Sequence, residues 1–241
     1  VEPSGASWAT VPLPEGFLAG LRSLAEEHNV LLIFDEVVSG FRWSPGGIQE
    51  LAGVTPDLTT LAKIVAGGLP GGAVCGRRDV MQLISFDDRE RKIIHQGTFN
   101  ANPLSAAAGC ACLDVVKDPA VQRKADALAS QLRRGLNEIL CRLSIPGCAY
   151  GESSVFHLVL GIECPEAHEG DVRKPDLPAA TLKAGPAPAV VQHLEMAMLN
   201  HGVHLFRAGG FTSFVSEPEH IAFTLEAFEA SLKQMRAEAL V

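Results

Sequence analysis

The sequence predicts an α/β protein: the C-terminal part of a large domain with a mainly parallel sheet, then a small α+β domain. Three observations carry that expectation. A helical pattern at 14–28 runs almost without a linker into Leu31-Leu32-Ile33-Phe34, the helix-then-strand rhythm of an α/β layer. Two apolar runs end abruptly in charged residues, Asp35 and Lys63. From Pro119 onward the pattern changes to a long amphipathic helix, followed by alternating strands and helices.

Pro14 and Glu15 suit a first helical turn, and Phe17, Leu18, Leu21, Leu24 and Ala25 share one apolar face, with Asn29 as a stop. Residues 30–34 read as a buried strand. Gly40, Pro45, Gly46, Gly47, Gly53 and Pro56 make 40–57 mostly loop with one short helix. A β-branched run at 58–63 is a second strand ending at Lys63, and 67–76 is a glycine-rich turn running into a third. "RRDVMQLI" is a short helix, 85–92 a charged surface loop, and 102–116 a helix of small residues suited to close packing.

A domain boundary is expected between residues 117 and 118. Beyond it, Val121, Leu128, Leu132, Leu136, Ile139 and Leu143 keep helical spacing, with Arg and Lys on the other face. Residues 154–163 read as a strand, 164–188 as an irregular surface insertion, and 189–201 as a helix capped by Gly202. "VHLF" reads as a strand, and Ser216 with Glu219 as a capping box for a last helix bearing Ile221, Leu225, Phe228, Leu232 and Met235.

With 241 residues, 47% hydrophobic and 20% charged, the chain has ample core for one large or two modest domains. A net charge of −8 argues against a nucleic-acid or anionic-membrane partner. No stretch approaches the roughly 18 apolar residues of a spanning helix. The six cysteines have no Cys-x-x-Cys spacing and read as reduced, mostly buried thiols of a cytoplasmic protein; no ligand spacing supports a metal. The opening "VEPSGASW" has no initiator Met and reads as the tail of a strand that begins upstream.

The chemistry lies at the charged strand ends. A carboxylate there is costly to desolvate without a cation to meet it. In open α/β sheets ligands bind beyond the carboxyl ends of the strands. Asp35 and Lys63 either pair with each other or flank one ligand. Lys63, between "TTLA" and "IVAGGLPGG", is expected to lose hydration to its apolar and glycine neighbours, which lowers a lysine's pKa and leaves a nucleophilic amine. Pyridoxal phosphate has an aldehyde for such an amine and a pyridine nitrogen for a carboxylate. In "HQGTFNANP", Gly97 and Thr98 with a helix start close behind offer donors to a phosphate.

"FDEVVSGFR", "GVTPDLTTLAKIVAGGLPGGAVCG" and "HQGTFNANPLSAAAG", in that order, resemble the core signature of the class III pyridoxal-phosphate aminotransferases, in the branch similar to glutamate-1-semialdehyde aminomutase. The match is specific over residues 1 to about 116 and looser beyond. The resemblance implies the fold-type-I architecture, a seven-stranded sheet and a homodimer with active sites shared at its interface. It implies that Lys63 is the Schiff-base lysine and proton shuttle, and that Asp35 partners the pyridine nitrogen. Val37 would pack on the ring, while Gly97 and Thr98 would bind the phosphate of the partner subunit's site. Glu2 and Glu36 stay unassigned, as hydrogen-bonded structural acids. The family's other phosphate loop and its ring-stacking aromatic lie upstream of this segment.

The substrate end departs from the aminomutase pattern. After the "VHLF" run the sequence reads "RAGGFTSFVS", with Phe211 roughly where the aminomutase has a carboxylate. That favours an apolar amine and hence amino transfer to a keto acid, whose carboxylate Arg207 or Arg42 would meet. The alternatives are the aminomutase, another reaction on the same scaffold, and a catalytically silent dimerisation module.

Overall fold

The computed structural model describes residues 1–85 and 92–240. The chain divides into two compact units, Val1–Trp8 with Leu13–Pro119, and Ala9–Pro12 with Ala120–Val241.

In the first unit, helix α1 (Phe17–Glu27) starts later than Pro14. Pro14–Phe17 closes instead as a turn, Phe17 N–H donating to Pro14 O at 3.2 Å, and Gly16 enters the helix at φ 75°. Leu18, Leu21 and Ala25 pack on Leu32, Phe34 and Val54, whereas Phe17 and Leu24 are exposed, so three of the five residues of the expected stripe are used. Asn29 ends the helix in the left-handed region at φ 51°.

Strand β1 (Ile33–Asp35) is not the continuous buried run expected for 30–34. Leu32 and Phe34 are buried while Leu31 and Ile33 are exposed, because successive side chains face opposite ways and α1 covers one face. Strand β2 (Leu58–Ala62) pairs parallel to β1, with Asp35 opposite Thr60. Strand β3 (Gly72–Gly76) pairs antiparallel to β2, so this three-stranded sheet is half parallel and half antiparallel. Residues 63–71 are too short a connection for a parallel crossover, which needs about a dozen residues or more. Val1 lies along the other edge of β1: its N–H donates to Ile33 O at 2.9 Å, and its carbonyl accepts Asp35 N–H at 2.8 Å. Helix α2 (Gly47–Ala52), helix α3 (Arg78–Met81) and helix α4 (Pro103–Val116) complete the unit. The charged loop expected at 85–92 falls largely on 86–91, outside the described residues.

Asp57 fastens these elements together. Its carboxylate meets Arg77 at 2.8 Å and Arg22 at 2.9 Å, and accepts Leu32 N–H at 2.7 Å. Arg77 first, then the Leu32 amide and Arg22, hold its pKa well below the usual carboxylate range. A pKa depressed on folding lends stability that is present above the unfolded value and is lost as pH falls through the folded one. Asp57→Asn should therefore lower the melting temperature at neutral pH by several degrees. Its deficit against the parent should shrink as pH falls below about 4. A deficit independent of pH, followed by thermal scans, would contradict this.

The second unit is built on helix α5 (Pro119–Leu143), whose Leu128, Leu132, Leu136 and Ile139 enter the main core as expected. Arg133 departs from the expectation of a basic outer face: it is fully buried. Its guanidinium reaches Asp171 at 2.7 Å and the carbonyls of Ser153 (3.1 Å) and Val155 (2.8 Å). Strand β4 (Gly147–Tyr150), which the sequence reading omits, pairs antiparallel with strand β5 (Val155–Leu160). Residues 164–188 are more than a surface insertion. They contain a 3-10 turn (Pro165–Glu169) and helix α6 (Ala179–Ala184), and Cys164, Ala167, Val172 and Leu182 form a second core with β4 and β5 residues.

After helix α7 (Pro188–Asn200) and Gly202 (φ 83°), "VHLF" is not a strand. The chain turns through Arg207 (φ 58°), and Leu158 N–H takes Ala208 O. The strand is β6 (Gly209–Phe211), antiparallel to β5. The last helix, α8 (Pro218–Ala237), is capped by Glu217 and His220 rather than by Ser216 and Glu219. The Glu217 N–H donates to His220 Nδ1 at 3.0 Å, while Ser216 Oγ accepts Ser213 N–H one turn earlier. Its Ile221, Phe228, Leu232 and Met235 are buried. The cysteines are all free thiols; Cys148 and Cys164 are buried, but Cys75 and Cys110 are exposed, so "mostly buried" does not hold.

Candidate active site

Parallel pairing of β1 and β2 brings the ends of both strands to one edge of the sheet. Asp35 is the last residue of β1, and Lys63 follows β2 immediately. Asp35 is opposite Thr60, and Lys63 lies three residues beyond Thr60, just past the end of β2. At about 3.3 Å per residue the strand runs roughly 7 Å beyond Thr60 before it turns at Lys63, a distance the two side chains can span from either end of a small ring.

The Asp35 carboxylate is already oriented. Its Oδ1 accepts the Val37 N–H at 3.1 Å and faces the Thr60 hydroxyl at 3.4 Å. Val37 thus acts on Asp35 through its backbone, and Thr60 through its side chain. The sequence reading assigned neither contact, although an acid two residues before an amide is a recognisable Asx-turn signal.

Glu36, next in the chain, faces the other way and is buried. It accepts Ser39 Oγ–H at 2.7 Å and the amides of Ile48 and Gln49, both at 3.1 Å. This carboxylate therefore caps α2 and anchors the loop leaving β1. Gly47 (φ 74°) is needed beneath it, since a Cβ there would press into the Glu36 carboxylate. Glu2 is likewise engaged: its carboxylate accepts Ser7 N–H at 3.1 Å and Trp8 N–H at 2.9 Å, holding a turn in which both residues have positive φ.

Lys63 opens the 3-10 turn Lys63–Ala66 with φ 55°, a left-handed conformation that a lysine adopts only where its surroundings enforce it. The enforcing element is α4, which packs on that turn. Gly109 in α4 makes the approach feasible, because a Cβ there would lie 2.6 Å from the Val65 carbonyl. This is the use of the small-residue helix. The expected stripping of water from Lys63 is not found among the described residues: its side chain is exposed, and the glycines beyond it have no side chain to cover it.

Gly97 and Thr98 line an open hollow of about 530 Å³ with His95, Gln96 and Asn100. The helix start behind them is not a donor to that hollow. Asn102 Oδ1 already accepts Leu104 N–H (2.9 Å) and Ser105 N–H (3.3 Å), so α4 caps itself. Arg42, on the loop after β1, is half-buried with Nε donating to Val38 O at 3.3 Å; burial lowers its pKa from the ordinary guanidinium value. Arg207 and Phe211 belong to the second unit. Both are exposed, and the Arg207 guanidinium stands 5.9 Å from the Phe206 ring centre.

A pyridoxal ring requires an amine and a carboxylate projecting from neighbouring strand ends, with the carboxylate's other contacts leaving it accessible. Lys63 and the exposed, Val37-fastened Asp35 meet that requirement, so the residues present fit the group.

The model of the family described as aminotransferase class-III matches residues 1–229. Glutamate-1-semialdehyde 2,1-aminomutase 2 of Brevibacillus brevis is 44% identical over 146 residues, 61% of this chain and 33% of that protein. An omega-transaminase structure from Sphaerobacter thermophilus superposes with a TM-score of 0.82 at 31% identity, covering 98% of this chain and 51% of that one. A beta-phenylalanine aminotransferase from Variovorax paradoxus gives a TM-score of 0.79 at 30% identity, covering 98% and 52%. The chain thus spans about a third of the aminomutase and about half of each transaminase.

Proposed function

The chain belongs to the class-III aminotransferase family, with the fold-type-I α/β architecture, and from that premise we propose that it carries the lysine half of a pyridoxal-phosphate-dependent aminotransferase site. The observation that supports this most is the placement of Asp35 and Lys63 at the ends of adjacent parallel strands. Pyridoxal phosphate supplies, when bound, an aldehyde carbon and a ring that accepts the electron pair released at the substrate carbon. Lys63 would hold the cofactor through its Nζ, and its amine would carry a proton from the substrate carbon to the cofactor's aldehyde carbon. Asp35 keeps a proton on the ring nitrogen, and the Val37 amide and Thr60 hydroxyl keep its carboxylate turned to that task. Gly97 and Thr98 donate to a phosphate.

The amino donor in this reading is an apolar primary amine and the acceptor a keto acid. Phe211 offers aromatic surface without charge, and Arg207 or Arg42 would meet the acceptor's carboxylate. The complete enzyme should transfer amino groups from such an amine to pyruvate much faster than it isomerises glutamate-1-semialdehyde. Phe211→Glu should cut the amine reaction by about tenfold or more. The identity to an aminomutase favours a second reading, isomerisation of glutamate-1-semialdehyde. Fast isomerisation without amine activity, and indifference to Phe211→Glu, would establish that reading instead.

The functional assembly in this account is a cytoplasmic homodimer in which Thr98 serves the partner's site. Mixing Lys63→Ala with Thr98→Ala chains places both lesions in one site of each mixed dimer and leaves the other intact. Activity should recover to about half the parental value per mixed dimer. No recovery, or full activity in a stable monomer, would contradict sharing.

A further inference from the structure

The second unit holds a thiol and an imidazole that amino transfer does not use. Cys141, near the end of α5, is half-buried, and its Sγ lies 3.3 Å from Nδ1 of His168 in the Pro165–Glu169 turn. A buried amide fastens the turn to the helix at this point. Asn137 stands one helical turn before Cys141 on the same face of α5 and is fully buried. Its Nδ2 donates to Gly170 O at 2.6 Å and to Ala149 O at 2.9 Å, while its Oδ1 accepts Ala149 N–H at 2.6 Å. The backbone just after His168 is therefore held against α5 by a core residue.

Cys141 and His168 also border the same cavity, of about 290 Å³, with Ile145, Pro146, Glu163 and Cys164 among its other walls. That volume, at the lower end of ligand-site sizes, admits a small organic molecule. The wall is part apolar, and the carboxylate of Glu163 on it disfavours an anionic guest.

We propose that Cys141 is a covalent-modification site for small uncharged Michael acceptors, with His168 accepting and then returning the thiol proton. A thiolate is the reactive form of cysteine, and an imidazole within hydrogen-bonding reach generates it. The Cys141 proton passes to His168 Nδ1. The sulfur electron pair forms an S–C bond at the β-carbon, and the C=C π pair moves to the α-carbon, which takes the proton from Nδ1. No oxidant is consumed and no group leaves. Within this region the reaction stops at Cys141, because Cys148 and Cys164, 0% and 5% exposed, have thiols pushed up by burial and held protonated.

The test uses the complete native protein and limiting N-ethylmaleimide, with peptide-resolved mass spectrometry. Cys141 should react about tenfold faster than the same cysteine in its isolated tryptic peptide. His168→Gly should bring it down to the peptide rate, and added free imidazole should restore most of the difference. Cys141→Ser should leave only the labelling of the other accessible thiols, Cys75 and Cys110 among them, each no faster than in its own isolated peptide. His168 is exposed, so equal melting temperatures of parent and variant serve as the folding control. A Cys141 that reacts no faster than its peptide overturns the proposal. So does a rate unaffected by His168→Gly, or a rapid label that persists in Cys141→Ser.

Discussion

Lys63→Ala should lower turnover of the complete enzyme by at least about 10⁴-fold, since one substitution removes both the covalent anchor and the proton carrier. Cofactor should still bind, more weakly, through Asp35 and the 95–100 segment, but without the visible absorbance of a lysine-bound form. The backbone adds a control. Lys63 has φ 55°, so any residue with a Cβ bears the same strain as lysine there, and Lys63→Ala should melt close to the parent. Lys63→Arg keeps charge and strain but not a primary amine, and should be as inactive as the alanine variant. Substantial turnover in either variant, measured by product formation, would remove Lys63 from the mechanism.

Asp35 and Glu36 should separate sharply on substitution, because they face opposite sides of one strand. Asp35→Asn keeps the shape and the Val37 contact but cannot hold a proton on the ring nitrogen. Turnover should fall by roughly 10²- to 10⁴-fold with little change in melting temperature. Glu36→Gln should do the reverse. It brings an amide NH₂ against a carboxylate site that accepts two backbone amides and the Ser39 hydroxyl, so the protein loses stability while turnover of the folded fraction stays within about tenfold. Equal losses of turnover in the two variants would mean that the acids act together and that the division of labour is wrong.

The residues at the sheet edge were legible in sequence because local chemistry dictates them. An apolar run that stops at an acid, another that stops at a lysine, and a glycine-rich return each announce a strand end without reference to the rest of the fold. Strand β3 was legible in the same way, as a strand after a glycine-rich turn, but its antiparallel pairing with β2 was not. Exposure of Lys63 was not legible, because burial depends on what lies over a residue and not on the apolar character of its sequence neighbours. Burial of Arg133 could have been read: it stands four residues after buried Ala129, on the same face as Leu136 and Leu140. The second core escaped because Cys164, Ala167, Val172 and Leu182 follow neither a period of 2 nor one of 3.6. Strand β4 was missed because Gly147-Cys148-Ala149-Tyr150 has no β-branched residue, whereas β5 carries two valines. Glu36 had a signal in the alternation along β1 and in the Gly46-Gly47 pair opposite it, but its partners lie twelve and thirteen residues away.

The central claim is that Lys63 carries the cofactor, and it has a direct chemical test. The complete protein, loaded with pyridoxal phosphate, is reduced with borohydride, digested and mapped by mass spectrometry. A pyridoxyl group is expected on Lys63 and on no other lysine. A label on Lys92, Lys183 or any lysine other than Lys63, with Lys63 unmodified, would contradict it.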